Sequence, residues 1–463
     1  MPTRSLYQEA SSPLHHAKLD LAELVGSLSF ALDLTEGQPE GHCVRCCWIG
    51  TQMGRVLGLE GEALSDLYFT LLLKDLGCSS NAARICELYL TDDIQFKHDF
   101  KQIDGSLSAA LRFVFAKTGL KVGLSDRFRA IVNILQNGGE ISRELIETRC
   151  HRGADIAAKM RFSDNVQAGI RALDEHWNGK GKPQGLQGED IPMNANIALL
   201  AQVADIFNTA EGAKAALAEI QDRKGSWFSP RLVEAFADVQ NMPGFWEAVQ
   251  SPDLPTEVFR MLPAKKSIPV DEDYLDDVAS AFADVVDAKS SFTADHSNRV
   301  TLYSDMIAEE MGLDAVHRRW FRRSALLHDI GKLAISNQIL DKPGKLDDAE
   351  WQAIRSHPLH SERILAGVSA FRDIAPLAGA HHERLDGKGY PYGLTGDEIC
   401  LEARIMTVAD VFDALSAERP YRAAMPIEKC FEILDKDTGC AFDGECVSAL
   451  RRGLARLDQS AAA

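Results

Sequence analysis

Apolar positions along this chain recur every three or four residues. Segments such as YLDDVASAFADVVDA (274–288) and DAVHRRWFRRSALLHDIGKL (314–333) gather them on one helical face. Alternation of apolar and polar positions, the mark of a half-buried strand, is scarce. The pattern predicts an all-α protein built of helical bundles. One stretch interrupts it. From Ser251 the chain reads SPDLPTEVFRMLPAKKSIPVDEDY, whose four prolines disfavour a continuous helix. The expected organisation is a first domain over residues 1–250, a linker over 251–270 and a second domain over 271–463.

The two sides of that boundary repeat each other. HCVRCCWIGTQMGRVLGLEGEALSDLYFTLLLKDLG matches HSNRVTLYSDMIAEEMGLDAVHRRWFRRSALLHDIG, and His42 to Lys74 is 32 residues, as is His296 to His328. ALDEHWNGKGKPQGLQGEDIP then stands against GAHHERLDGKGYPYGLTGDEIC, with Gly179 opposite Gly387 and Pro183 opposite Pro391. A third pairing sets QVADIFN against TVADVFD, which puts Asp205 opposite Asp410 and requires a small insertion before Asp205. Lys74 to Arg149 spans 75 residues where His328 to His357 spans 29, so the first copy carries about 46 extra residues, around Asn81–Gly139.

Composition is ordinary for a globular chain, with 45% apolar and 25% charged residues among 463. The charge balance says more. Fifty basic against 68 acidic residues leave a net charge of −18, which repels nucleic-acid polymers and anionic lipid. A small anionic ligand would need a local positive pocket or bound cations. No apolar run is long enough to span a membrane, and the N-terminal segment does not read as a secretory signal, so a cytoplasmic protein is expected. The ten cysteines are expected to be reduced thiols, and Cys43-x-x-Cys46-Cys47, lacking a second pair at zinc-finger spacing, is expected to be structural.

Seven of the thirteen histidines lie after residue 290. His296, His328-Asp329, His357, His381-His382 and Asp410 fall on separate helical segments of one domain. Imidazole and carboxylate are the donors that Zn, Mn and Fe(II) accept. An adjacent His-Asp pair can give one ion a nitrogen and share a carboxylate with a second, and two ions roughly 3.5–4 Å apart suit phosphoester hydrolysis. Lys332 is four residues from His328 and would bring its ammonium beside the site. Pro358 after His357 favours a helix start there. Asp410 and Asp413 are i, i+3 partners, and Arg419 and Arg422 supply the positive charge that the surface lacks.

HDIGK, the His-Pro at 357–358, HHERLDGKGYP and VADVFDAL…RPYR together resemble the HD-GYP family of bacterial cyclic dinucleotide phosphodiesterases, a branch of the HD metal-dependent phosphohydrolases. The resemblance is strong over 271–453 and faint in the first half. It implies two tandem HD-type bundles, the second catalytic. His296, His328, Asp329 and Asp410 would hold one metal, and Asp329 would bridge to a second completed by His357, His381 and His382. Iron or manganese is the expected metal. A hydroxide between the ions would attack phosphorus and linearise cyclic di-GMP to pGpG, with onward cleavage to GMP left open. Asp329 and Lys332 would be catalytic. Lys332, Asp413, Arg419 and Arg422 would bind substrate or orient a ligand. The Gly389-Tyr390-Pro391 loop would border the substrate groove, and a GGDEF-domain partner and a homodimer stay open. Some members carry a Glu four residues before the first histidine that recruits a third metal. Here that position is Phe292, so two ions are expected.

The same alignment reduces the first half to His42, Lys74-Asp75, Arg149, Leu173-Asp174 and Asp205. Lys74 and Arg149 would repel metal and pair with Asp75 and Asp205. That half is expected to hold no metal and to act as a regulatory or dimerising module, since no other input domain is visible. Three alternatives remain: hydrolysis of 3′,3′-cyclic GMP-AMP, a generic HD nucleotidase, and a non-catalytic cyclic dinucleotide receptor.

Overall fold

The computed structural model describes residues 21–103, 107–262, 271–290, 295–418 and 423–461. Among them there is no β-strand, only isolated bridges such as Asn178 with Gln187 and Asp386 with Thr395. The expected all-α class holds. The described chain falls into two units. One comprises the residues before 271 together with Ser336–Gln338, the other residues 271–335 and those from 339 on.

In the first unit, α1 (Leu21–Thr35), α2 (His42–Val56), α3 (Gly61–Leu73), α4 (Leu124–Lys159), α5 (Asp164–Arg171) and α6 (Met193–Glu211) surround a core that includes Leu28, Ile49, Leu72 and Leu200. The segment 81–139, extra relative to the second half, builds its own satellite cluster. Ile85, Tyr89, Phe96 and Phe113 pack against Ile134 and Ile141 of α4. The proline-rich stretch is more than a connector. Leu254–Arg260 forms α7, with Pro255 in its first turn, where a missing N–H costs nothing. Val258 is buried, and its carbonyl accepts from Tyr68 Oη at 3.2 Å.

In the second unit, α8 (Glu272–Asp287) starts at an Asp271 side chain that accepts from Tyr274 N. It is followed by α9 (His296–Glu310), α10 (Ala315–Leu327), α11 (Asp348–Arg355), α12 (His357–Ala366), α13 (Ala375–Ala380), α14 (Leu401–Ser416), α15 (Ile427–Lys436) and α16 (Gly444–Ala461). Val300, Phe321, Leu377, Ile405, Phe412, Leu434 and Leu450 form one core. Each contributes about 1.5–3 kcal/mol by leaving water. This packing fixes the helix ends from which the polar site is built.

Candidate metal centre

Every candidate ligand in the second half except Asp410 sits at or next to a helix end that the core holds in place. His296 opens α9, His328 caps the C-terminus of α10, His357 opens α12 with Pro358 in its first turn, and His381 caps α13. Asp329 and His382 follow directly, and Asp410 lies within α14. Three imidazoles are aimed by one device. The Nδ1–H groups of His328, His357 and His381 donate to the carbonyls of Ala325, Ile354 and Ala378, each three residues earlier, at 2.7, 2.6 and 2.7 Å. Each Nε2 is thereby turned inward, those of His357 and His381 lying 3.2 Å apart.

The inward atoms meet around Asp329. Its Oδ2 lies 3.2 Å from Nε2 of both His296 and His328. Its Oδ1 lies 3.3 Å from His357 Nε2 and 3.7 Å from His381 Nε2. Asp410 reaches His296 Nε2 at 3.5 Å through Oδ1 and His382 Nδ1 at 3.8 Å through Oδ2. Two clusters result, His296–His328–Asp410 and His357–His381–His382, each with its donor atoms within 4.8 Å of one another. Asp329 faces both.

This donor set fits a pair of divalent cations. His328 Nε2 and Asp329 Oδ1 are buried and make no hydrogen bond, a costly arrangement unless something else satisfies them. The protein's own charges also draw positive charge here. Burial works against a protonated His296, yet its bonds to Asp329 and Asp413 push its pKa up to about 9. Burial likewise opposes the Asp329 carboxylate, and His328, Lys332 and His296 hold it well below the usual carboxylate range.

The remaining predicted residues divide into three groups. Lys332 lies in a 3-10 turn (Ile330–Ala334) rather than on a continuation of α10, and its Nζ contacts Asp329 Oδ2. Asp413 does not open onto a substrate space. It is fully buried, with Oδ2 on His296 Nδ1 at 2.7 Å and both oxygens held by Arg299, at 2.5 Å to Nε and 3.1 Å to Nη2. Of the two roles expected for Asp413, this placement speaks against contact with substrate and fits orientation of a ligand, His296. Arg419 and Arg422 lie outside the described residues, as does Phe292.

The loop that carries Gly389, Tyr390 and Pro391 is pinned by Glu383, which accepts the backbone N–H groups of Tyr392, Gly393 and Leu394 at 2.7, 3.1 and 2.9 Å. Glu383 thus shapes the loop rather than supporting a ligand. A side chain at 389 would lie 2.5 Å from the backbone of Glu383 and Arg384, so glycine is required. The Tyr390 ring rests 4.8 Å from that of His382.

Sequence reasoning missed Arg299. The signal was present as His-x-x-Arg in both copies, because Arg45 stands three residues after His42. The first half also corrects the repeat register. Glu175 pins its own loop through Gln184, Gly185 and Leu186 N–H groups, as Glu383 does. Counted from that clamp, Asp205 is 30 residues on, as Asp413 is from Glu383, and no insertion precedes it. The contacts agree. His42 Nδ1 meets Asp205 Oδ2 at 2.7 Å, and Arg45 holds Asp205 at 2.6 and 3.1 Å. Asp205 is therefore the counterpart of Asp413, and Gln202 stands where Asp410 does. Arg149 pairs with Asp174, not with Asp205. Cys43, Cys46 and Cys47 are buried free thiols whose pKa values burial pushes up.

Comparison with known proteins places these observations. The HD-domain family profile matches residues 108–232 and 280–446. A Vibrio cholerae protein named 3′3′-cGAMP-specific phosphodiesterase 3 is 52% identical over 434 residues, 94% of each chain. The crystal structure of a cyclic GMP-AMP specific phosphodiesterase of V. cholerae aligns with a TM-score of 0.65 and 47% identity, over 94% of this chain and 97% of that one. The cyclic di-GMP phosphodiesterase response regulator of Xanthomonas campestris is 41% identical over 182 residues, 39% of this chain and 48% of its own. No helix of the described residues is long and apolar enough to cross a membrane.

Proposed function

Because this chain belongs to the HD-GYP family of metal-dependent cyclic dinucleotide phosphodiesterases, we propose that it hydrolyses 3′,3′-cyclic GMP-AMP in preference to cyclic di-GMP. The observation that carries the choice of substrate is the extent of likeness. The relative named for 3′3′-cGAMP matches both halves, whereas the cyclic di-GMP relative matches about two fifths of the chain. This reverses the order of substrates that the motifs alone suggest.

In the proposed mechanism, His296, His328, Asp329 and Asp410 would hold one divalent cation, and Asp329, His357, His381 and His382 would hold the other. The cations supply Lewis-acid activation of water and of the phosphodiester. The chain's own groups do the rest. Asp329 presents one oxygen to each ligand cluster. The three backbone carbonyls facing Nδ1 aim Nε2 of His328, His357 and His381 into the site. Asp413, held by Arg299, aims the His296 ring through its Nδ1. Lys332, partly exposed beside Asp329, neutralises the phosphoryl oxygens as the ribose 3′ oxygen departs. The first half holds no metal pair in this reading and serves a regulatory or assembly role.

The test is metal analysis of anaerobically purified protein together with product analysis on 3′,3′-cyclic GMP-AMP and cyclic di-GMP. Two iron or manganese ions per chain and faster turnover of the mixed dinucleotide are expected. Turnover of neither, by metal-loaded protein, would overturn the reading.

A further inference from the structure

The short helix that precedes His357 carries an exposed aromatic and cationic pair that no part of the metal chemistry uses. Helix α11 (Asp348–Arg355) ends two residues before His357, and none of its residues is buried, so core packing does not dictate its side chains. Trp351 and Arg355 are four apart and share one face. Trp351 is 45% exposed, unusual for the largest apolar side chain. The Arg355 guanidinium carbon lies 5.7 Å from the Trp351 ring centroid and 5.5 Å from that of Tyr390. Tyr390 in turn rests 4.8 Å from the His382 ring, inclined by 34°. A continuous stack therefore runs from solvent to a metal ligand: Trp351, Arg355, Tyr390, His382.

Among the described residues no carboxylate pairs with Arg355, although acidic residues outnumber basic ones 68 to 50. A guanidinium held over aromatic faces keeps its in-plane N–H donors available. Those donors match the O6 and N7 acceptors of guanine, which adenine does not offer together. An exposed indole offers any purine a stacking face.

We propose that Trp351 and Arg355 form the purine-reading edge of the active site, with Trp351 stacking a nucleobase of the cyclic dinucleotide and Arg355 pairing with the Hoogsteen edge of guanine. The inference rests on the substrate reading above and adds the residues that recognise the base. It explains why the tyrosine of the loop is an aromatic ring wedged between a ligand and an arginine: the ring sets the distance between base recognition and the metal centre.

Steady-state kinetics on the full chain test it, with 3′,3′-cyclic GMP-AMP, cyclic di-GMP and cyclic di-AMP as substrates. In Arg355→Ala, KM for the two guanine-containing substrates should rise roughly tenfold or more, with cyclic di-AMP little changed and bound metal unchanged. In Trp351→Ala, KM should rise for all three, and Trp351→Phe should recover most of the loss. An equal rise for all three substrates in Arg355→Ala would mean phosphate contact and would overturn guanine reading. Unchanged KM in both variants would remove the inference while leaving the enzyme intact. Inactivity of the metal-loaded wild-type protein on every substrate is a different result, and it would strike the substrate reading itself.

Discussion

In the second half Asp329 turns both oxygens toward imidazoles, with the Lys332 ammonium as one further partner; in the first half Asp75, at the same place in the repeat, turns both toward ammonium groups. Lys74 occupies the position of His328, and its Nζ contacts Asp75 Oδ2 and lies 3.1 Å from His42 Nε2. It stands between the atoms whose counterparts face the first cluster in the other half. On the opposite side Lys101, from the inserted segment, comes within 3.9 Å of Asp75 Oδ1 and 2.6 Å of Glu36. Arg149 and Asp174, at the positions of His357 and His382, neutralise each other. Burial disfavours the Lys74 ammonium, yet Asp75 and the nearby thiols hold it well above an ordinary lysine; burial disfavours the Asp75 carboxylate, and Lys74 and Lys101 hold it well below the usual range. The comparison teaches how little must change to turn a metal site into a salt-bridge core. An amine long enough to reach the place of an ion supplies the missing positive charge, while the orienting group, Asp205 with Arg45, is kept unchanged.

The largest effect separates the two carboxylates. Asp329→Ala should lower turnover roughly a thousandfold or more, because both proposed cations would lose a shared ligand. Asp75→Ala should leave turnover of the metal-loaded enzyme near wild type but cost about 3–5 kcal/mol of stability, since two buried ammonium groups lose a partner. Product assays and denaturant unfolding monitored over each half decide. An Asp75→Ala protein as stable as wild type would break the comparison. The next effect concerns metal removal. Chelation should cost the second half several kcal/mol of protection against amide exchange around His296, His328 and His357, while segments around His42 and Lys74 keep theirs. Loss of protection in both halves would mean that the first also binds metal.

Much of this was legible from the residues. Helical periodicity gave the class, because buried faces must repeat every three to four positions. The donors stood out because five short blocks in fixed order placed imidazoles and acids where a plain bundle needs neither. The register of Asp205 was not legible. QVADIFN and TVADVFD look alike locally, and only the Glu175 and Glu383 clamps reveal that the count from loop to helix is the same in both halves. Arg299 reads in sequence as one more solvated charge on a polar face, and its purpose emerges only when Asp413 is found beneath it. Lys101 had no counterpart to suggest a role, because its segment exists in one copy alone. The helix at Leu254–Arg260 was hidden by its own proline, which suits a first turn and reads as a breaker.

A smaller effect tests the ammonium in the first half through pH. Burial and then the Lys74 charge push the His42 pKa down to about 4, against an ordinary 6.5, although Asp205 pulls the other way. A histidine depressed in the fold stays neutral while the unfolded chain takes up a proton. Its contribution is therefore present above about pH 6.5 and is lost as pH falls toward 4, at no more than about 1.4 kcal/mol per pH unit. Local amide exchange around His42 should rise over that window. With Lys74→Met the depression should shrink and the acid sensitivity of this segment should weaken. Acid sensitivity unchanged in that variant would show that burial alone sets the His42 pKa and that Lys74 adds no charge there.

The smallest effect asks whether the shared orienting pair does the same work in both halves. Arg299 reaches His296 through Asp413. Its guanidinium clamps Asp413, and Asp413 orients His296 through Nδ1, which turns Nε2 toward the site. Removing it should loosen one candidate ligand among seven rather than delete one. Arg299→Ala should therefore weaken metal retention about tenfold, the usual scale for an outer partner of a ligating histidine. Titration of apoprotein with manganese reads this directly, and Arg299→Lys should recover only part of it, because a single ammonium cannot clamp both oxygens of Asp413. Arg45→Ala makes the same cut in the first half, where His42 meets a lysine instead of a cation site. It should change neither manganese affinity nor turnover and should register only as a local loss of exchange protection around Asp205. If Arg45→Ala also weakened manganese binding, the first half would be contributing to a metal site, and Lys74 would no longer be the charge that replaces one.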